Sequence, residues 1–373
     1  MSKISIVSVN DKKLLNEFIK LPHRIYKNNP HWVPPINMDI KAKLTREKNP
    51  FFQHGDITMF LAQRDGEYVG RIAAISNDLH NKVHNDRVGF FGFFESIDDQ
   101  EVANELFKTV HEFLSKKGYT HMRGPANPSS NEEYGMLLEG FDDSPRLMMP
   151  YNPEYYLKLA ENYGLKKAKD LYAYKIENEK LLASEKLVRG VDIVRKRTGV
   201  TIRNLNIKDF GNELLKVKEV YNNAWAPNYG FVPMTEEELD DTAKSLKPLL
   251  DPNIVLFAEK DGETIGFALV MPNYNEVFKD MNGKLFPTGI FKLLTRKKKI
   301  KWARILILGL LPKYQKKGID ALFYYEIAKR AEKRGILLGE ASWILEDNEM
   351  MIRGAELMNG TLYKKYRIYE INI

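Results

Sequence analysis

No cysteine occurs among the 373 residues. Disulfide scaffolds, thiolate metal sites and cysteine nucleophiles are thereby excluded, along with any reading of compartment from redox chemistry. Histidine is scarce and lopsided: His23, His31, His54, His80, His84, His111 and His121 all fall in the first third. Chemistry centred in the second half must therefore run without imidazole. Long apolar runs are missing too. The longest aliphatic stretch, Ile305 to Leu311, is far short of the roughly 20 residues a bilayer span needs. The start, MSKISIVSVNDKK, lacks the apolar centre of a secretion signal. A cytoplasmic protein is expected, with peripheral contact to an inner membrane left open.

What is present is ordinary globular material: 43% hydrophobic and 29% charged residues, with length enough for two cores. The net charge of +7 favours an anionic partner without choosing among nucleic acid, lipid surface and phosphorylated cofactor.

The chain contains its own image. Residues 58–77 align without a gap on 254–273, with identity at Ala62/Ala258, Asp65/Asp261, Gly66/Gly262, Glu67/Glu263, Gly70/Gly266 and Asn77/Asn273. Each copy reads as strand, Asp-Gly turn and strand, a β-hairpin. The same offset of 196 pairs residues 152–175 with 348–371, aligning Asn152 with Asn348 and Gly164 with Gly360. Each of these reads as a capped helix closed by glycine, then an aromatic-rich strand. Between them the offset becomes 217, setting Gly92 on Gly309 and Gly118 on Gly335. One insertion per half accounts for the change, at 128–151 and 274–303. The expected fold class is α/β, a mixed sheet with helices on both faces. Two copies of one domain are expected, at 1–177 and 200–373, joined by a linker at 178–199.

The sharpest chemical signal is the run from Leu308, Gly309, Leu310 and Leu311 into Pro312-Lys313-Tyr314-Gln315-Lys316-Lys317-Gly318, after which a helix begins near Ile319 and Asp320. A glycine loop at a helix N-terminus offers free N–H groups and the positive end of the helix dipole, which suits a pyrophosphate. A solvated basic turn fits the same residues. Gln315 to Asp320 is similar to the Q/R-x-x-G-x-G/A loop of the GNAT superfamily of acyl-CoA N-acyltransferases. That resemblance implies acyl-coenzyme A as co-substrate, no metal, and a strand at Ile305–Leu311 holding the pantetheine arm. It also implies two tandem GNAT-like domains, the first degenerate, and N–H groups of Leu310 or Leu311 polarising the thioester. Two departures stand out. Asp320 occupies a position usually Gly or Ala, and Ala355 stands where many family members carry a general-acid tyrosine. In the first half the corresponding place reads Glu95-Ser96-Ile97-Asp98-Asp99-Gln100-Glu101, whose four acids would repel a phosphate.

Acyl transfer to an amine needs a base, polarisation of the carbonyl and a proton for the leaving thiolate. Alternation along Glu340 to Asn348 puts Glu346 beside Asn348. Glu346 is the expected base and Asn348 its neighbour at the cofactor; a helix-capping or ion-paired carboxylate is the other reading. The proline-rich insertion of the first half supplies candidate acceptor contacts in Asn127, Asn131, Glu133, Tyr134, Tyr151 and Asn152, or else a structural loop. In the second half Tyr221, Trp225 and Tyr229 are further candidates. The insertion at 274–303 sets apolar Phe278, Met281, Leu285, Phe286, Ile290, Phe291, Leu293 and Leu294 before Arg296, Lys297, Lys298, Lys299 and Lys301. This pattern suits an anionic membrane surface contacted through 278–304, and no motif for specific nucleic-acid reading accompanies it. Together these features predict an acyl-CoA N-acyltransferase working by direct transfer. Its acceptor would be lipid-like, a long-chain amine or sphingoid-type base, as in the GNAT-like bacterial ceramide synthases. The alternative is a noncatalytic sensor that binds acyl-CoA or membrane.

Overall fold

The computed structural model describes residues 3–224 and 229–373. In chain order come β1 (Ser5–Ser8), α1 (Lys12–Ile25), α2 (Asn37–Lys43), β2 (Gly55–Arg64), β3 (Glu67–Asn77), α3 (Asp78–His84), β4 (Val88–Ser96), α4 (Gln100–Lys116) and β5 (His121–Gly124). The short strands β6 (Ala126–Asn127), β7 (Glu133–Tyr134) and β8 (Met136–Glu139) precede α5 (Tyr155–Tyr163) and β9 (Lys166–Glu177). Then follow α6 (Asn178–Leu182), α7 (Glu185–Thr198), β10 (Thr201–Asn204), α8 (Phe210–Ala224), α9 (Glu236–Leu246), β11 (Leu256–Lys260) and β12 (Glu263–Pro272). The chain ends with α10 (Asn275–Phe278), α11 (Thr288–Arg296), β13 (Trp302–Leu310), α12 (Ile319–Lys333), β14 (Leu338–Leu345), α13 (Glu349–Leu357) and β15 (Thr361–Asn372).

Two compact units result, and neither is continuous in sequence. Unit 1 holds Met1–Leu171, Phe278–Ile290 and Lys365–Ile373; unit 2 holds Tyr172–Val277 and Phe291–Lys364. The strand order in unit 1 is β1-β2-β3-β4-β5, followed by the end of β15, which runs antiparallel to β5 from Tyr369–Gly124 to Asn372–His121. In unit 2 the order is β10-β11-β12-β13-β14, and the end of β9 from Tyr172 belongs to this unit. Each half therefore surrenders the end of its closing strand. Part of the second insertion also lies with unit 1, where Asn37 N–H donates to Gly283 C=O at 3.0 Å.

The duplicated hairpins match in detail. Asp65 and Gly66 have φ of 51° and 83°, and Asp261 and Gly262 have 52° and 84°, the left-handed pair a two-residue hairpin turn demands. Both ladders slip by one residue at the same place, after Ala62 and after Ala258. The middle alignment needs correcting. Glu95 lies opposite Arg71, and Gly309 lies opposite Phe267. Since Arg71 and Phe267 are themselves 196 apart, Glu95, not Gly92, takes the place of Gly309. In the third segment only Asn348 caps its helix, accepting from Met351 N–H at 3.2 Å. Asn152 is instead spent on β8, accepting from Leu137 N–H at 2.6 Å.

Residues 178–199, expected as a linker, form α6 and α7. Ser184 caps α7 and Gly199 closes it, while Leu181, Leu187, Val191 and Val194 enter the main core of unit 2 with Leu322, Phe323 and Ile327 of α12. An apolar stripe at helical spacing outweighed the charged composition of the stretch. A second core of unit 2, including Val220, Tyr221, Phe257 and Phe267, lies under α8. In unit 1, Leu106, Phe107 and Val110 of α4 pack with Phe91, Phe94 and Tyr156.

Candidate functional site

In unit 2, β13 and β14 run parallel only from Trp302–Leu338 to Ile305–Ala341. A polar clamp sits at the last joined positions. Arg304 donates from Nε to Ser342 Oγ at 2.9 Å, Ser342 donates to Glu340 Oε1 at 2.6 Å, and Tyr363 donates to Glu340 Oε2. Glu340 is fully buried, so these donors and the Arg304 guanidinium are what make its burial tolerable. The sequence places Glu340 on the strand face of Glu346 but gives no sign of the clamp, because only strand pairing brings Arg304 and Tyr363 to it.

Beyond the clamp the strands part. Leu311 N–H donates to Ile265 C=O at 2.9 Å, which makes Gly266–Leu310 a non-hydrogen-bonded pair. Leu308 and Leu310 therefore turn their backbone groups away from β12, into the gap that β14 has left. The amide of Leu311 is already used, which removes it as a polarising group and leaves Leu310. Gln315 closes the loop from inside, donating Nε2 to Leu310 C=O at 2.9 Å.

The loop ends at Gly318, with φ of 78° and no side chain capping α12. Lys316 is also left-handed at φ 59°. Lys313 and Lys317 hold their ammonium groups 5.0 and 5.5 Å from the Tyr314 ring centre, which gathers positive charge at the helix end. Asp320 works against this: its carboxylate takes the N–H groups of Asp320 and Ala321, and burial pushes its pKa above the usual carboxylate range. One turn on, Tyr324 is buried and its pKa is raised, by burial first and by Asp320 second. Its hydroxyl lies against α13, where a Cβ on Gly354 would stand 2.7 Å from it. Ala355 beside Gly354 is fully buried. This tyrosine was missed in the sequence because its proximity to α13 depends on how two helices pack.

Unit 1 has filled the same places. The N-terminus of α4 is capped by Asp99, which accepts from Glu101 and Val102 N–H at 3.0 and 3.1 Å and pairs with Arg64 at 2.7 Å. Ser96 N–H, equivalent to that of Leu310, donates to the Tyr156 hydroxyl at 2.9 Å. Phe93 N–H donates to Asn127 Oδ1 at 2.7 Å, and a Cβ on Gly92 would meet Ala126 C=O at 1.8 Å. Glu95 itself is buried against Tyr156, 2.7 Å from its hydroxyl, and Arg71. Burial raises its pKa although Arg71 opposes the shift.

The remaining candidates scatter. Glu346 and Asn348 lie together between β14 and α13, both half-buried, with the Asn348 oxygen engaged in capping. Of the first-half set, Tyr134 and Asn152 are buried. Asn127 and Glu133 face one another at 3.4 Å, Asn131 N–H bonds Ser129, and Tyr151 donates to Phe141 C=O at 2.9 Å. The insertion is also tied to the rest of unit 1: Lys43 pairs with Glu132, and the Tyr151 hydroxyl stands 3.3 Å from Asn29 Oδ1. Tyr221 is a core residue beside Phe231, Tyr229 is half-buried, and Trp225 lies outside the described residues. Among the described residues no group of acids and histidines has metal-holding geometry, and no helix is long and apolar enough to cross a membrane.

No family model matches the chain. A bacterial ceramide synthase from Caulobacter vibrioides (strain NA1000 / CB15N) is 38% identical over a 377-residue alignment that spans 98% of this chain and 97% of that protein. The chain belongs to the bacterial ceramide synthase family. Protein YghO of Escherichia coli (strain K12) is a further relative of this family member, 36% identical across 97% of this chain and 94% of its own length. Among solved structures, a tandem GNAT protein from the clavulanic acid biosynthesis pathway covers 99% of this chain and 98% of its own, with a TM-score of 0.59 at 12% identity. A GCN5-related N-acetyltransferase from Sphaerobacter thermophilus covers 99% and 95%, at TM-score 0.52 and 13% identity. The fold is the tandem GNAT fold, and this family member is an acyltransferase.

Proposed function

We propose that the protein transfers an acyl group from acyl-coenzyme A to the amine of a long-chain, sphingoid-type base, with cofactor and chemistry in unit 2. The observation that carries the reading is the open gap beyond Ile305–Ala341, faced by the amides of Leu308 and Leu310 and leading to a lysine-rich loop and a helix whose cap position is Gly318. Coenzyme A, when bound, supplies the acyl group as a thioester. Lys313, Lys316 and Lys317, at the positive end of the α12 dipole, would hold its phosphates; Asp320 fits best when protonated, as its raised pKa favours. Leu310 N–H polarises the carbonyl. Glu346 takes the ammonium proton, directly or through water. Tyr324, which keeps its proton at neutral pH, returns one to the leaving sulfur in place of the tyrosine absent at 355. The sphingoid acceptor is supported by the near full-length likeness to the Caulobacter vibrioides enzyme.

The test is to follow thiol release and product mass with acyl-CoAs of graded length and a panel of amines that includes sphinganine. Release that depends on both acyl-CoA and a long-chain amine is expected. Coenzyme A binding without turnover on any amine, or turnover only with acyl-carrier-protein thioesters, overturns the proposal.

A further inference from the structure

Helix α11 is apolar on the side it buries and apolar on the side it shows. Gly289 is buried, with room for no Cβ beside Met281 and Lys284 C=O, and Ile290 and Leu293 are half-buried. On the opposite side, Phe291 and Leu294 stand one turn apart with 67% and 58% of their surface exposed. Phe286, just before the helix, is 60% exposed. A solvated surface helix carries polar residues there. The helix runs straight into the exposed cations Arg296, Lys297, Lys298 and Lys299, and buried Ile300 anchors the turn. No acidic residue occurs anywhere from 281 to 319.

We infer that the outward face of α11 and the cationic turn after it dock on an anionic lipid surface. Large apolar side chains beside a cluster of lysines are what an interfacial helix requires, since the rings enter the acyl boundary while the cations stay among the headgroups. A nucleic-acid surface would use the lysines but has no use for exposed Phe291 and Leu294. The arrangement is also electrostatically consistent within unit 2. The cationic turn enters β13 at Trp302 and the phosphate loop leaves it at Leu310, roughly 26 Å away along the strand at about 3.3 Å per residue. The phosphates of a bound cofactor would thus stand well clear of the lipid phosphates. The inference goes beyond the proposed reaction and is read without turnover, so either can fail alone.

The experiment is co-sedimentation of the full chain with vesicles of phosphatidylcholine alone or mixed with phosphatidylglycerol, over a salt series. Binding is expected only to the mixed vesicles, weakening as salt rises. The double change Phe291→Ser, Leu294→Ser should weaken it about tenfold or more, and Lys297→Glu, Lys298→Glu, Lys299→Glu at least about 100-fold. Unchanged circular dichroism and thermal midpoint certify the fold, because all five side chains are exposed. Absence of binding to mixed vesicles at low salt overturns the inference. So does retention of full binding by the serine variant, or tighter binding to a random DNA duplex than to the vesicles.

Discussion

The spaces beside the ends of β4 and β13 begin alike and finish differently. In both units a parallel partner follows for a few residues, from Val88–His121 to Phe90–Arg123 and from Trp302–Leu338 to Ile305–Ala341, and then departs. In unit 2 the base is tied by an ion pair across the two strands, Arg304 of β13 with Glu340 of β14, whereas in unit 1 Arg123 of β5 pairs away from β4, with Glu370 of β15. Above the base, unit 1 spends Asn127 and Tyr156 on strand amides that unit 2 leaves to the gap, while at the helix ends the same two amides are taken by Asp99 in unit 1 and by Asp320 in unit 2. A duplicated fold can thus close such a gap in one copy, because its own side chains satisfy the orphan donors. What keeps the gap of unit 2 open is the longer loop after β13 and, among the described residues, no side chain reaching the strand amides.

Adding negative charge at the open end is the strongest way to break this contrast. Gly318→Asp would add a second carboxylate beside Asp320 at this helix end, and coenzyme A affinity measured by calorimetry should fall on the order of 100-fold or more, with a lowered thermal midpoint because position 318 is left-handed at φ 78°. Removing the base of the gap tests its construction. Arg304→Met leaves Glu340 buried without its cation and should cost about 3–5 kcal/mol by urea unfolding. In unit 1, Gly92→Ala drives a methyl into Ala126 C=O and should cost about 1–3 kcal/mol or more, whereas an unplugged gap would tolerate it.

Smaller effects sharpen the assignment of roles. Tyr324→Phe should lower kcat about 10- to 100-fold with KM little changed, and Gly354→Ala, which displaces the hydroxyl, should do the same while coenzyme A still binds. Equal rates in the phenylalanine variant would remove Tyr324 from the proton path. The smallest effect is the pH dependence set by Asp320. Its folded pKa is raised, so the folded state holds the proton that the unfolded chain has lost, and stability falls as pH rises through that interval. Above it the carboxylate also opposes phosphate. Asp320→Asn should therefore tighten coenzyme A a few-fold at alkaline pH and not at acid pH, which titrations at two pH values would read.

Much of this was legible in the sequence, and the reasons differ by feature. The hairpins announced themselves because Asp-Gly between alternating apolar runs has one favoured turn, and the loop at 315–318 because glycine before a helix stripe has few other uses. The alignment of Gly92 with Gly309 misled: matching residue types in two apolar strands carries no register, and each strand has a bulge of its own. Residue type is equally silent on which polar side chains the backbone engages. Polar residues in a proline-rich insertion look available, yet the backbone amides of β4 and β8 had prior need of Asn127 and Asn152.

Residue spacing by itself determined the duplication, the α/β character, the cation-rich loop and the absence of thiol or, in the second half, imidazole chemistry. These depend on local periodicity and side-chain type, which the chain carries wherever it goes. Tertiary structure alone decided which half keeps an open gap, that Glu340 is clamped by Arg304 and Tyr363, that Tyr324 reaches α13, and that the end of each closing strand is given away. Those outcomes turn on which distant groups satisfy a given amide or bury a given charge, and such pairings exist only once the strands have found their partners.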